Sequence, residues 1–322
     1  MLRVAILVVG ATALLPRPQP QIRSTTLRAA ALEWSPAGVA QADGTLVSKT
    51  FAYAPTLACA ADAGVTSIET SYVAVGAADA PPVLLVHGFG ASPYHWRATR
   101  RHRRGRYRVY AVDLCGFGRS EKPVMDYDSD LSCGASRRST ARAASRRRPT
   151  SRPRRRPRLS GRRTPPRRAG AAALGAAVRR AVVAAAFVVT KQPLRIQQVL
   201  RQVYPVFPER CDDDLVASIE YPARDPNAAE VFYRIVSRNG NGPADPARSV
   251  DALLAQLAAP LLLCWGERDP WVVSAIGDRY EAAATALGRD VTRVSIDGGH
   301  CPHDENPAQV NAALLDWMGG LA

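Results

Sequence analysis

Apolar and polar positions alternate over 66–75 with the period of a half-buried strand. A turn rich in Ala, Gly and Pro then leads into Val83-Leu84-Leu85-Val86, apolar at every position and suited to a strand covered on both faces. That run ends in His87-Gly88-Phe89-Gly90. A second strand, 107–112, ends in Asp113-Leu114-Cys115-Gly116-Phe117-Gly118-Arg119-Ser120. A helix over 97–106 should join them, yet Arg100, Arg101, His102, Arg103 and Arg104 leave it no apolar face. Farther on, Leu194, Ile196, Val199, Leu200 and Val203 recur at helical spacing, as do Ala228, Val231, Phe232, Ile235 and Val236. Those two segments predict cap helices. Strand 260–266, helix 273–287, strand 291–296 and helix 307–318 follow. The order predicts an α/β fold, a mostly parallel sheet flanked by helices with a helical cap.

Charge changes the picture in one segment only. The 43 Lys and Arg exceed the 28 Asp and Glu by 15, a balance that by itself suggests an anionic partner. Between Ser132 and Arg168, however, stand 15 arginines with no lysine and no acid, so the remaining 28 basic residues match the 28 acidic ones. The rest of the chain is balanced, and nucleic acid is not an expected partner. The six cysteines (Cys59, Cys115, Cys133, Cys211, Cys264, Cys301) show no C-x-x-C spacing, as in a reduced compartment. No apolar run outside the N-terminus approaches the ~20 residues of a membrane-spanning helix, so a soluble mature protein is expected. Oligomeric state has no signature here.

The N-terminus reads as an address. Arg3, an apolar stretch over 4–15 and the small residues Gly10-Ala11-Thr12-Ala13 have the layout of a cleavable signal peptide. Arg17, Arg23 and Arg28 then lie among Ser24, Thr25 and Thr26, with no acid before Glu33, which is transit-peptide composition. Together they resemble the bipartite leaders of algae with secondary plastids, without the phenylalanine usual at the junction. A secretory leader followed by a spacer is the alternative.

Chemistry concentrates at strand ends. In His87-Gly88-Phe89-Gly90 the glycines let backbone N–H groups turn toward a ligand, and Phe89 N–H is the candidate oxyanion donor, although any tight turn can use glycines. Downstream, Gly266-Glu267-Arg268-Asp269-Pro270-Trp271-Val272 and Gly298-Gly299-His300-Cys301-Pro302-His303-Asp304-Glu305 each follow a strand. A catalytic histidine needs a carboxylate to fix its tautomer, and Asp269 before His300 obeys the order of acid then histidine. The competing possibility is that Asp269 caps the next helix and His300 is an ordinary loop residue. His303 fits a supporting role better than that of the base. No metal or cofactor is implied.

The motifs Gly299-His300-Cys301-Pro302-His303-Asp304-Glu305, Asp269-Pro270-Trp271-Val272 and His87-Gly88-Phe89-Gly90-Ala91-Ser92 resemble the pheophytinase and chlorophyll dephytylase group of α/β-hydrolases, as does Leu200-Arg201-Gln202-Val203-Tyr204-Pro205. The resemblance covers 67–131 and 190–320. It implies an α/β-hydrolase fold, a Ser-Asp-His triad and hydrolysis of a hydrophobic carboxylic ester, in that group the phytyl ester of chlorophyll derivatives. A dehalogenase or epoxide hydrolase of the same fold, with an aspartate nucleophile, is the runner-up.

The pattern breaks where the nucleophile belongs. No G-x-S-x-G is present: neither Ser136 nor Ser160 has both flanking glycines, Ser274 lies outside the interval, and neither G-x-D-x-G nor G-x-C-x-G replaces the motif. Residues 132–168 are almost wholly Arg, Ala, Ser, Pro, Thr and Gly, the alphabet of GC-rich DNA translated in a wrong frame, and 97–106 is a possible smaller instance. The other account is a genuine Arg-rich arm that binds RNA or anionic surfaces, although it lacks aromatic interleaving. The expected organisation is a leader over 1–35, the first half of the hydrolase domain over 36–131, a disordered or frame-shifted segment over 132–175, cap helices over 176–250 and the second half over 251–322. A chain without its nucleophile would be inactive as a serine hydrolase, and without its central strand its folding is in question.

Overall fold

Of the short apolar runs, 261–266 is buried throughout, whereas 83–86, expected to be covered on both faces, buries only Leu85 and leaves Val86 exposed. In the computed structural model, which describes residues 6–9, 48–53, 60, 63–103, 105–127, 167–239, 250–257 and 259–321, the strands are β1 (Ile6–Val9), β2 (Ser48–Tyr53), β3 (Ile68–Val75), β4 (Pro82–Val86), β5 (Arg108–Val112), β6 (Leu261–Gly266) and β7 (Val291–Ile296). They form two sheets, β2-β3-β5-β4 and β1-β6-β7. In the first, β2–β3 and β3–β5 are antiparallel and β4–β5 is parallel. The second is parallel throughout. Among the described residues β4 pairs with β5 alone and β1 with β6 alone.

β6 shows why a continuous apolar run is a central strand. Every residue of Leu-Leu-Leu-Cys-Trp-Gly is buried. Leu262 and Cys264 pack with Ile296, Val310 and Leu314, while Leu261 and Leu263 face Leu254 and Ala284 on the opposite side. At ~25 cal/mol per Å² of apolar area, burial on two faces is the main stabilising term for such a strand. Helices α6 (Val250–Gln256), α7 (Ser274–Ala286) and α9 (Pro307–Gly320) supply those faces. Strand β1 lies in register with it, from Ile6 opposite Leu261 to Val9 opposite Cys264. Four residues of the apolar run read as a leader thus lie in the sheet, and the rest of 1–35 falls outside the described residues.

The remaining helices are α1 (Arg97–Arg103), α2 (Arg167–Thr190), α3 (Pro193–Val203), α4 (Asp213–Glu220), α5 (Ala228–Asn239) and the single turn α8 (Pro302–Glu305). Helix α1 forms without an apolar face, and its first residue, Arg97, is held inward by ion pairs, as described below. Helix α2 starts at Arg167, inside the segment expected to be disordered or frame-shifted up to residue 175. The run from Ala169 to Ala177, all alanine, glycine and leucine, contains six alanines, and alanine has the highest helix propensity of any residue. Residues 132–166, with Ser136 and Ser160, lie outside the described residues. Helix α3 buries Ile196, Leu200 and Val203 and leaves Leu194 exposed. Helix α5 buries Ala228 and Val231, while Val236 is turned outward, unlike the expectation. Helix α4 has no strong periodic signature, and its N-terminus is set by Asp212, whose side chain accepts from Leu215 N at 2.8 Å. No described helix is long and apolar enough to cross a membrane.

Candidate active site

Asp269 and His300 sit on loops that leave β6 and β7, two parallel neighbours, at their carboxyl ends. That placement brings the side chains together: His300 Nδ1 is 2.8 Å from Asp269 Oδ2. The Asp269 carboxylate is almost wholly buried, and its other oxygen, Oδ1, accepts from Trp271 N at 2.8 Å and Val272 N at 2.9 Å. Asp269 therefore does not cap α7, whose N-cap position is Val273 without a side-chain cap. An ionised Asp269 places the proton on His300 Nδ1 and leaves Nε2 as a lone-pair acceptor. The imidazole retains 17% exposure, and Trp271, 56% exposed, packs edge-on to it with ring centroids 4.9 Å apart.

The two loops meet because glycine permits it. A Cβ on Gly266 would run into the Gly299 carbonyl oxygen, and a Cβ on Gly299 would run into the Val203 carbonyl oxygen and the Pro205 ring. Three segments of backbone, from the end of β6, the histidine loop and the end of α3, are pressed together at this point.

At the end of β4, His87 is buried with its tautomer set by the backbone. Nδ1 lies 2.8 Å from Gly88 O, and Nε2 takes the Leu114 N–H at 3.0 Å. Burial lowers the His87 pKa to about 4. Across the loop, Asp113 is also buried, and its pKa is raised to about 7, chiefly by desolvation. The Phe89 side chain is 49% exposed and packs against Phe117 at 5.7 Å and Phe232 at 5.8 Å, and Phe232 meets Phe187 at 5.1 Å. Four phenylalanines from the β4 loop, the β5 loop, α5 and α2 thus form an apolar wall. Of the four, helical periodicity marks only Phe232, on the apolar face of a cap helix.

His303 is buried and does not occupy the position facing Asp269. Its ring stacks on Trp96 at 4.0 Å, and desolvation lowers its pKa to about 3.

The features the sequence did not reveal are the partners of the residues after His300. Asp304 is fully buried and takes two bonds from Arg97, Nε to Oδ1 at 2.8 Å and Nη2 to Oδ2 at 3.1 Å, with Tyr204 OH at 3.0 Å from Oδ2. Arg97 Nη1 also reaches both oxygens of Asp212 and the Tyr94 hydroxyl. Burial pushes the Asp304 carboxyl up, and the Arg97 guanidinium pulls against it. Arg97, 8% exposed, therefore joins Arg100, 4% exposed, among the inward arginines of α1. A buried cation inside an otherwise unexplained helix was the available signal, but its partner stands 207 residues away.

The model for the alpha/beta hydrolase family matches residues 83–313. This chain belongs to the alpha/beta hydrolase family. A haloalkane dehalogenase from Mycobacterium marinum is 26% identical to this hydrolase over 273 residues, covering 78% of this chain and 89% of that protein. Epoxide hydrolase 4 from Mus musculus is 42% identical over 68 residues, 21% of this chain and 19% of that protein, so the match spans about a fifth of that relative's length. Among solved structures, a serine hydrolase involved in carbazole degradation superposes with TM-score 0.57 at 18% identity, over 85% of this chain and 99% of that one. The epoxide hydrolase CorEH superposes with TM-score 0.55 at 14% identity, over 85% and 100%. At these identities the structural likeness concerns the fold.

Proposed function

We propose that this chain comes from a gene for a carboxylic-ester hydrolase in which His300 is base and then acid and Asp269 orients it. The Phe89 N–H, with the N–H after the nucleophile, forms the oxyanion hole. The observation that carries the proposal is the 2.8 Å contact between His300 Nδ1 and Asp269 Oδ2 on neighbouring strand-end loops. A serine at the elbow would attack the ester carbonyl while His300 Nε2 takes its proton and returns it to the leaving alcohol. Water activated by His300 would then release the acid. The chain as written has no such serine and is inactive by this route.

Among the described residues β4 pairs on one side only, as would β6 once a leader carrying β1 is removed, which supports a missing strand and elbow. In this reading 132–175 is translated out of frame with its flanks. Unpaired buried backbone groups cost on the order of 1–3 kcal/mol each, so the restored strand would also stabilise the fold. The substrate we propose is an apolar carboxylic ester, and within that class the phytyl ester of chlorophyll derivatives. The motifs at 87–92, 200–205, 269–272 and 299–305 support it, as does the phenylalanine wall beside Phe89.

A second reading follows from the relatives. Haloalkane dehalogenase and epoxide hydrolase are the names of proteins this chain resembles in sequence, and such a reading puts an aspartate at the elbow. His300 would then activate water against an alkyl–enzyme ester. The test is to sequence the transcript across codons 125–195, express the frame it reveals and assay apolar esters, haloalkanes and epoxides. A G-x-S-x-G with ester turnover supports the first reading, and a G-x-D-x-G with dehalogenation or epoxide opening supports the second. An unshifted transcript overturns the frame explanation and favours an Arg-rich binding arm. That arm would give salt-sensitive nucleic-acid retention lost on deleting 132–168.

For the N-terminus we propose a plastid address, with a secretory leader as the alternative, tested by fusing residues 1–35 to a fluorescent reporter. Cleavage of such a leader would remove β1 and leave one edge of β6 open.

A further inference from the structure

His300 is held by more than Asp269. Its backbone N–H donates to Val203 O at 3.0 Å, at the C-terminal end of α3. The preceding N–H, of Gly299, donates to Glu305 Oε2. The second oxygen of the same carboxylate, Oε1, accepts from Val206 N at 2.7 Å and Phe207 N at 3.1 Å. Glu305 is 1% exposed and so binds the histidine loop with one oxygen and the chain leaving α3 with the other. Such a carboxylate is a two-sided acceptor, because turning either oxygen away strands an N–H, buried at Gly299 and partly buried at Val206 and Phe207. No side chain at Gly299 separates the two backbones.

We propose that Glu305 is a positioning residue that ties the seating of the 203–207 segment to the orientation of His300. A cap segment displaced as substrate enters would pull on the Gly299 and His300 amides and turn the imidazole relative to Asp269. One correctly seated cap then corresponds to one aligned histidine. Tyr204, inside the segment, adds a second tie through its hydroxyl on Asp304. The functional meaning rests on His300 being the base, but the geometric claim does not, and the test reads geometry.

The experiment uses the full chain and follows the His300 Nδ1–H resonance by proton NMR, assigned by its disappearance in Asp269→Asn, together with hydrogen exchange of the His300 amide. Glu305→Gln keeps the volume but sets an NH₂ group against an N–H on one side. It is expected to shift or broaden the Nδ1–H resonance and to speed His300 amide exchange by roughly tenfold or more, with β6 protection unchanged. Tyr204→Phe, which deletes one hydroxyl, should move the same two signals in the same direction and serves if the Gln variant fails to fold. Val310→Ala, a core truncation behind β7, is the control for general loosening. The proposal is overturned if both signals stay put in the folded Glu305 and Tyr204 variants. It is equally overturned if Val310→Ala moves them as much. Ester turnover plays no part in either outcome, so a failure here is separate from a failure of the proposed chemistry.

Discussion

Asp269 Oδ2 and His300 Nδ1 are 2.8 Å apart although 31 residues separate them, because β6 and β7 are parallel neighbours and both loops leave from their carboxyl ends. If this pair serves a nucleophile, its removal should act on the chemical step rather than on binding. In the frame-restored enzyme Asp269→Asn should lower kcat by about 10⁴-fold with KM little changed, since the asparagine favours the wrong imidazole tautomer. Steady-state kinetics with an apolar ester series checks this, and a loss below tenfold removes the pair from the mechanism. The chain as written should hydrolyse those esters no faster than its own His300→Ala variant.

Arg97 and Asp304 form a buried ion pair, 9% and 0% exposed at the side chains. Removing this cation leaves the buried Asp304 with only the 3.8 Å approach of Arg210 and the Tyr204 hydroxyl. Arg97→Met should therefore destabilise by about 3–5 kcal/mol in urea unfolding. The exposed pair of Arg224 and Glu220 is the contrast, and Arg224→Ala should leave the midpoint unchanged.

His303 carries a folded pKa of about 3 against an ordinary value of 6.5, and His87 about 4. The unfolded chain then binds more protons than the folded one between those values. The stability these neutral imidazoles contribute is whole above about 6.5 and is lost as pH falls toward 3. Asp113, with its pKa raised to about 7, works in the opposite sense by losing stability as pH rises from 3.8 to 7. His303→Phe should flatten the acid limb of a plot of unfolding free energy against pH. An unchanged slope between pH 4 and 6 would show that His303 does not titrate between the two states.

The contact of Gly266 with Gly299 predicts a specific cost for one methyl group. In Gly266→Ala the new Cβ meets a backbone carbonyl rather than a yielding side chain. A loss of about 1–3 kcal/mol is expected, together with displacement of the His300 loop. Thermal unfolding measures the first and the His300 Nδ1–H resonance the second. Gly288→Ala, with open space around the Cβ position but φ of 65°, should cost less and leave the resonance in place.

Much of the scaffold was legible because it repeats local rules. Strand 291–296 has the bounds expected from its pattern, β6 begins one residue late, and α7 loses a residue at each end. Asp269 and His300 were legible because they stand in motifs at strand ends. The helix α4, the strand β2 and the inward role of Arg97 were not. A helix capped by Asp212 and a guanidinium paired across 207 residues carry no periodic signal. The start of α2 at Arg167 was missed because its arginine-rich surroundings masked an alanine run.

Local sequence therefore determined which segments are strands and helices and which side chains stand at the strand ends, since hydrophobic period and loop glycines act over a few residues. Tertiary structure alone decided that Asp269 faces His300 rather than capping α7. It also decided that Glu305 and Asp304 join the histidine loop to the cap, and that Ile6–Val9 lies beside β6. These are pairings between segments far apart in the chain. Their energies depend on burial and on hydrogen-bond geometry that exist only once the sheets have assembled.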